Sequence, residues 1–293
     1  MRDLIGYGPE GKDFFWPNKA KVAINFVINY EEGSELSPVN NDVQAETIGA
    51  DFPFIPKAKG QRNLSMESFY EYGSRVGLWR LLRLFDAYQV PLTFFVTGYA
   101  LTLNPLLANY LARQHHDVAG HGWRWINYAN VPRKEEKKHI LSCLKTLEQL
   151  TRKRPKGWYT GRRSEHTREL LLEIGGFLYD SDSYADELPY YVDNHLIIPY
   201  SLDCNDFRFT TTPGFCSTQE FYVRLMNTFN YLYQEKRPTI MTVGLHPRLS
   251  GKPDRCLILR NFLNHLVLHK DIWITRRIDI ANFWLERFPS TKA

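Results

Sequence analysis

Lys21-Val22-Ala23-Ile24-Asn25-Phe26-Val27-Ile28-Asn29-Tyr30, followed at once by Glu31-Glu32-Gly33, is the stretch whose reading decides the fold. It is short, apolar and rich in β-branched residues, which predicts a buried strand. Inside a strand the two glutamates would point to opposite faces. At its end, with Gly33 allowing a sharp turn, both can tip into one mouth. Two like charges so close are costly unless one is protonated or both are paired.

Working outward, strand and helix alternate. A long polar, proline-containing segment follows from about Gly33 to Leu64, and loops of that length are usually functional or partner-binding. A helix is predicted over Ser74–Tyr88, with Leu78, Leu81, Leu82 and Phe85 on one face. Further strands are predicted over 90–97, 117–120, 157–160, 177–180, 196–200, 239–245 and 272–274. Helices are predicted near 104–114, 132–152, 167–174, 218–235 and 254–269, and a last one at the C-terminus. Alternation of this kind implies a parallel sheet with helices outside. At 293 residues the pattern favours a (β/α) barrel of seven to eight strands, complete or not, in a single domain over residues 1–293. No Gly-x-Gly-x-x-Gly or P-loop follows any strand, so the usual nucleotide fingerprints are absent.

The totals exclude several classes of function. The apolar share is 43% and the charged share 24%, which places the chain among folded globular proteins rather than disordered ones. Its net charge of +5 is spread out, and Arg133-Lys134-Glu135-Glu136-Lys137-Lys138 mixes signs, so no nucleic-acid footprint is expected. No run approaches the ~20 apolar residues of a membrane span. The N-terminal residues lack a signal-peptide core, so a cytoplasmic location is expected. Cys143, Cys204, Cys216 and Cys256 are widely spaced and read as reduced thiols rather than zinc ligands or disulfides.

In such barrels the reacting groups lie at the C-terminal ends of the strands. Six predicted strand ends carry unusual polar residues: Glu31-Glu32, His121 to Trp125, Tyr159 to Arg163, Asp180-Ser181-Asp182, Asp203 to Asp206, and His246-Pro247-Arg248. Any one could be a cap or turn residue. Together they point to one barrel mouth holding acids, bases and a small-molecule substrate.

These motifs, in this order, resemble the polysaccharide deacetylase (NodB-homology) superfamily, and within it the cofactor-independent allantoinase branch of urate catabolism. The resemblance runs through Arg2-Asp3-Leu4-Ile5-Gly6-Tyr7-Gly8, Asn29-Tyr30-Glu31-Glu32-Gly33, Tyr70-Glu71-Tyr72-Gly73-Ser74-Arg75, His121-Gly122-Trp123-Arg124-Trp125, Gly157-Trp158-Tyr159-Thr160-Gly161-Arg162, Tyr179-Asp180-Ser181-Asp182 and Gly244-Leu245-His246. It implies a distorted (β/α) barrel that hydrolyses carbon–nitrogen bonds other than peptides. The superfamily's deacetylases place two adjacent Asp at the first motif, one a base and one a metal ligand, and add two His four residues apart as ligands. Here Glu31 and Glu32 stand at the Asp positions and His121 at the first His, but Trp125 replaces the second. An indole offers no lone pair to a metal. The expectation is therefore no cofactor, with a divalent metal such as zinc on Glu32 and His121 as the alternative.

The resemblance then assigns roles as expectations. Glu31 is the general base, strengthened if Glu32 raises its pKa, and His246 is the general acid. Asp180 or Asp182 orients His246. Backbone N–H groups and Arg162 face the oxyanion. Glu32, His121, Trp125, Trp158, Tyr159 and Arg162 bind the substrate, the aromatic rings forming walls or simply barrel packing. Three readings stand: an allantoinase-like opening of a cyclic amide, an N-deacetylase acting on a carbohydrate or small molecule, and a catalytically inactive binding protein. A homo-oligomer, of tetrameric form, is implied by the resemblance alone.

Overall fold

The computed structural model describes residues 2–235 and 237–290. The opening stretch forms β1 (Val22–Tyr30), and all nine of its residues are buried. The parallel strands β2 (Leu92–Val96), β3 (Asp117–Gly120), β4 (Gly157–Trp158) and β5 (Tyr179–Asp180) follow one another away from β1. Next comes an antiparallel hairpin of β6 (Tyr190–Val192) and β7 (His195–Ile197), whose β7 pairs parallel with β5. On the other side of β1 lies β8 (Thr239–Leu245). The last strand, β9 (Ile272–Ile274), pairs with Val22–Ile24. Because β8 already occupies one edge of β1 there, β9 shares the other edge with β2, which pairs with Phe26–Tyr30. The result is a curled nine-stranded sheet, a distorted barrel as expected. Among the described residues no ladder joins β7 to β8. The chain leaves β7 irregularly, and at Asn205 a single bridge to Gly244 of β8 spans the gap.

The helices cover the outside: α1 (Leu64–Tyr72), α2 (Leu78–Ala87), α3 (Gly98–Leu103), α4 (Pro105–Arg113), α5 (Arg133–Thr151), α6 (Thr167–Ile174), α7 (Thr218–Glu235), the one-turn α8 (Pro247–Ser250), α9 (Pro253–Leu266) and α10 (Arg277–Arg287). The helix expected from Ser74 starts ten residues earlier, because α1 and α2 are joined by a π-helical turn, Gly73–Gly77. Asn63 supplies the start signal, its side chain capping Met66 N–H at 3.3 Å. The Leu78, Leu81, Leu82 and Phe85 face is buried as the periodicity requires.

Period-two alternation sorts β1 into two faces. Val22, Ile24, Phe26, Ile28 and Tyr30 pack outward into the main apolar cluster beneath the helices. Asn25 and Asn29 face the polar interior of the barrel. There Arg277, fully buried, donates from Nη1 to Asn25 Oδ1 (3.0 Å) and Thr242 Oγ1 (3.2 Å), and from Nη2 to Ser181 Oγ (2.9 Å) and Pro199 O (2.8 Å). Glu31 continues the inward series at the strand's C-terminal end. Among the described residues, no helix is long and apolar enough to cross a membrane.

Candidate active site

Glu31 follows directly from β1, and its carboxylate is a hub. Oε1 lies 3.0 Å from His121 Nε2 and 3.5 Å from His246 Nε2, and Oε2 accepts from Arg248 Nη2 at 2.8 Å. His121 is carried by the end of β3, His246 by the end of β8 and Arg248 by α8, so three parts of the barrel rim converge on one carboxylate. Glu31, Glu32, His121 and His246 are only 1% to 4% exposed.

The sharp turn predicted at the glutamates is present: Gly33 has φ +90°, a conformation that side chains rarely adopt. Glu32 folds back onto the backbone. Its Oε2 accepts the Glu31 N–H at 3.0 Å, and its Oε1 accepts the Arg248 backbone N–H at 3.3 Å. The π-helical turn fits against this pair. A β-carbon on Gly73 would lie 2.5 Å from Glu32 Oε1 and 2.7 Å from the Arg248 nitrogen, so only glycine lets α1, Glu32 and α8 meet.

Protonation follows from these contacts. Burial alone would raise the Glu31 pKa, but the charges of Arg248 and His246 and the hydrogen bond to His121 outweigh it and hold Glu31 well below the usual carboxylate range. Glu32 is raised by burial, against the pull of Arg248. The expectation that Glu32 would raise Glu31 is thus reversed: a guanidinium stands between the two carboxylates, and Glu32 is the one pushed up. Burial opposes a charge on His246, yet Glu31 and Asp206 together push its pKa up to about 9. His121 Nδ1 donates to the Tyr159 carbonyl, which turns its Nε2 toward Glu31 Oε1.

The orienting carboxylate is a further correction. Neither Asp180 nor Asp182 touches His246. Asp206 does: its Oδ1 is 2.6 Å from His246 Nδ1, and its Oδ2 accepts the backbone N–H groups of His246 (2.7 Å) and Ser250 (3.1 Å). Asp180 instead pairs with Arg168 Nε at 2.8 Å, with His195 Nε2 3.3 Å away. Asp182 accepts Thr160 N–H (2.9 Å) and Gly161 N–H (2.8 Å), shaping the turn after β4. Burial first, then the Asp180 charge, pushes Asp182 up to about 6. Asp182 also lines a crevice of about 950 Å³ between the N-terminal arm and the β6–β7 hairpin, a crevice that Glu31, His121 and His246 do not reach.

The proposed walls divide. Trp125 packs with Tyr70 (centroids 6.2 Å apart), and the Arg162 guanidinium lies 3.7 Å from its ring centroid. Tyr159 stacks on His121 at 5.3 Å, with the planes 7° apart. Trp158 belongs to the main core: its Nε1 donates to Thr160 Oγ1 at 2.8 Å and its ring packs on Phe177. For Trp158 the packing alternative holds.

Sequence reasoning passed over Arg248 and Asp206 as site residues, although both sit in strand-end strings it singled out. Arg248 is fully buried, donates from Nε to the Gly49 carbonyl at 2.8 Å and lies 4.2 Å from the Tyr70 ring centroid. This arrangement bears on the metal alternative. Among the described residues no group of three or more His, Cys, Asp or Glu is placed to hold a metal ion. The lone pairs of Glu32 face Arg248 and the Glu31 N–H, and both His121 nitrogens are engaged.

Residues 64–175 match the polysaccharide deacetylase family. A putative polysaccharide deacetylase of Schizosaccharomyces pombe is 36% identical, over 98% of this chain and 98% of its own length. The crystal structure of PuuE allantoinase superposes with a TM-score of 0.95 at 43% identity, covering 99% of both chains. A probable polysaccharide deacetylase from Pseudomonas aeruginosa PAO1 gives 0.95 at 42% identity and the same coverage.

Proposed function

The chain belongs to the polysaccharide deacetylase family, and from that premise we propose that it opens a cyclic amide, converting allantoin or a close ureide to the ring-opened acid. One observation carries the choice over metal-assisted deacetylation: the fixed cation beside Glu31 and Glu32 is the Arg248 guanidinium, and the side chains around it do not form a metal-ligand set. The likeness to an allantoinase at 43% identity supports the same reading.

The chemistry then runs on side chains. Glu31, ionised, takes a proton from water as the new O–C bond forms at the ring carbonyl. Arg248 keeps N–H groups beyond those bound to Glu31, Glu32 and Gly49, and these stabilise the oxyanion, the role expected of Arg162. The C–N bond breaks and His246, charged and steadied by Asp206, gives its Nε2 proton to the departing nitrogen. A carboxylate held as low as Glu31 is a weak base at rest. The attacking water becomes far more acidic as its oxygen bonds to the carbonyl carbon, and this lets even a weak base take its proton. The proton on Glu31 then crosses the 3.5 Å to His246 Nε2 and restores both groups. One water is consumed, and the new acid releases its proton to solvent.

A second reading, N-deacetylation, is favoured by the names of the deacetylase relatives. A panel of allantoin, hydantoin and N-acetylated sugars, assayed with and without chelator, separates the two. Ring opening of allantoin that is unaltered by chelator, and absent in Glu31→Gln with an unchanged circular-dichroism spectrum, is expected. Chelator-sensitive acetate release, or full activity in Glu31→Gln, refutes the proposal.

A further inference from the structure

The segment between β1 and α1, residues 33–63, folds over the site. Gly49 accepts Arg248 Nε at its carbonyl, and Ile48 accepts the Tyr70 hydroxyl at 3.2 Å. The segment is tied down by Arg124, whose Nη1 reaches Asp42 Oδ1 at 3.0 Å, and by the Arg255–Asp51 pair. At its centre Glu46 is only 3% exposed. Its Oε1 accepts the N–H groups of Thr47 (2.9 Å) and Ile48 (3.1 Å), which turns the carboxylate onto the strip that meets Tyr70 and Arg248. The charge of Glu46 is felt at Tyr70: burial first holds that hydroxyl well above its ordinary range, and Glu46 adds to it while Arg248 opposes. Glu46 Oε2 has no partner at all.

On Trp125, which packs with Tyr70, sits a second orphan of opposite charge. The Arg162 guanidinium rests on the Trp125 ring, and its Nη2, also buried, has no partner. Leaving a buried carboxylate oxygen and a buried guanidinium N–H unpaired is costly, and folded proteins seldom do so without a use for the groups. Neither group serves the acid–base steps.

We infer that Glu46 and Arg162 determine substrate specificity: Glu46 Oε2 accepts an N–H, and Arg162 Nη2 donates to a carbonyl, of a ureido group lying outside the scissile amide. An N-acetyl sugar offers one amide, which is the bond to be cut. A ring that carries a separate –NH–CO–NH₂ arm offers the second donor–acceptor edge that these two residues lack. The assignment rests on the ring-opening reading and narrows it to substituted cyclic ureides.

The test compares allantoin with hydantoin, the same ring without the ureido arm. The ratio of kcat/KM for allantoin to that for hydantoin should fall roughly 10- to 100-fold in Glu46→Gln, the range for a hydrogen bond to a charged group. The loss should appear mainly in KM for allantoin. Arg162→Met should lower the same ratio. Because Glu46→Gln keeps an acceptor for the Thr47 and Ile48 N–H groups and replaces only the unpartnered Oε2, its thermal midpoint should stay close to that of the unaltered protein; a purely structural role would lower it. An unchanged ratio, or a lowered midpoint with equal losses on both substrates, overturns the inference. If the unaltered protein turns over neither compound, the ring-opening reading falls and calorimetric titration with allantoin decides this one. Binding that weakens tenfold or more in Glu46→Gln upholds it, and no binding or equal binding overturns it.

Discussion

Asp206→Asn is the perturbation that tests the acid–base pair most directly. The variant keeps the size of the side chain and an acceptor oxygen for one backbone N–H, but removes the charge 2.6 Å from His246 Nδ1. His246 stands at about 9 against an ordinary 6.5, a difference worth roughly 3 kcal/mol in favour of the charged ring. One unit charge at ~4 Å, in the effective dielectric of about 20 that suits protein sites, contributes ~4 kcal/mol. Removing Asp206 is therefore enough to return His246 to 6.5 or below, even with Glu31 still in place. A raised histidine pKa means that the charged form is populated below that value and lost above it. The alkaline limb of kcat/KM, expected near 9 in the unaltered protein, should move down to about 6.5, and at pH 7.5 the charged fraction should drop roughly tenfold. Loss of ring orientation adds to this, as in other histidine–carboxylate pairs where Asn replaces Asp. The His246 Cε1–H resonance, followed by NMR through the pH range, gives the same answer without any substrate. A His246 midpoint that stays near 9 in Asp206→Asn, with the alkaline limb unmoved, would refute the assignment of Asp206.

Arg248→Met should leave Glu31 and Glu32 buried without their shared cation. Breaking a buried pair in this way costs ~3–5 kcal/mol, read as a lower denaturant midpoint, and the Glu31 pKa should rise, moving the acid limb of kcat/KM to higher pH. Arg277→Met should be just as destabilising with no route through the chemistry, because it strands Asn25, Ser181 and two carbonyls inside the barrel; equilibrium unfolding checks the loss and the pH profile should keep its shape. Asp182→Asn keeps acceptors for the Thr160 and Gly161 N–H groups but lies outside the Glu31 cluster; it should alter kcat less than tenfold, against the loss of 10²-fold or more expected for a group that steers the general acid.

Local order was legible because local forces produce it. The period-two and period-3.6 patterns located β1, α2, α6, α7 and β8, and the bounds of α6 and α7 were met at both ends. The short β6 strand, Tyr190–Val192, went unread because it is only partly buried and has no apolar run to announce it. The start of α1 was missed because the signal is one capping asparagine rather than a periodic face. In the site, the convergence of Glu31, His121 and His246 could be expected from strand ends, since a parallel barrel brings all such ends to one rim.

What sequence alone determined is which residue types stand at those ends: two carboxylates after β1, an imidazole and an indole after β3, and another imidazole after β8. Which carboxylate serves which histidine was settled only in three dimensions. Asp206 lies 40 positions from His246 and reaches it through the one bridge between Asn205 and Gly244, a contact with no periodic trace in the chain. Arg248 likewise became the partner of Glu31 because a one-turn helix and two glycines on a π-helical turn let it fold inward. Charge and hydrogen-bond pairing act through space at a few ångströms, and spacing along the chain does not encode distances of that kind.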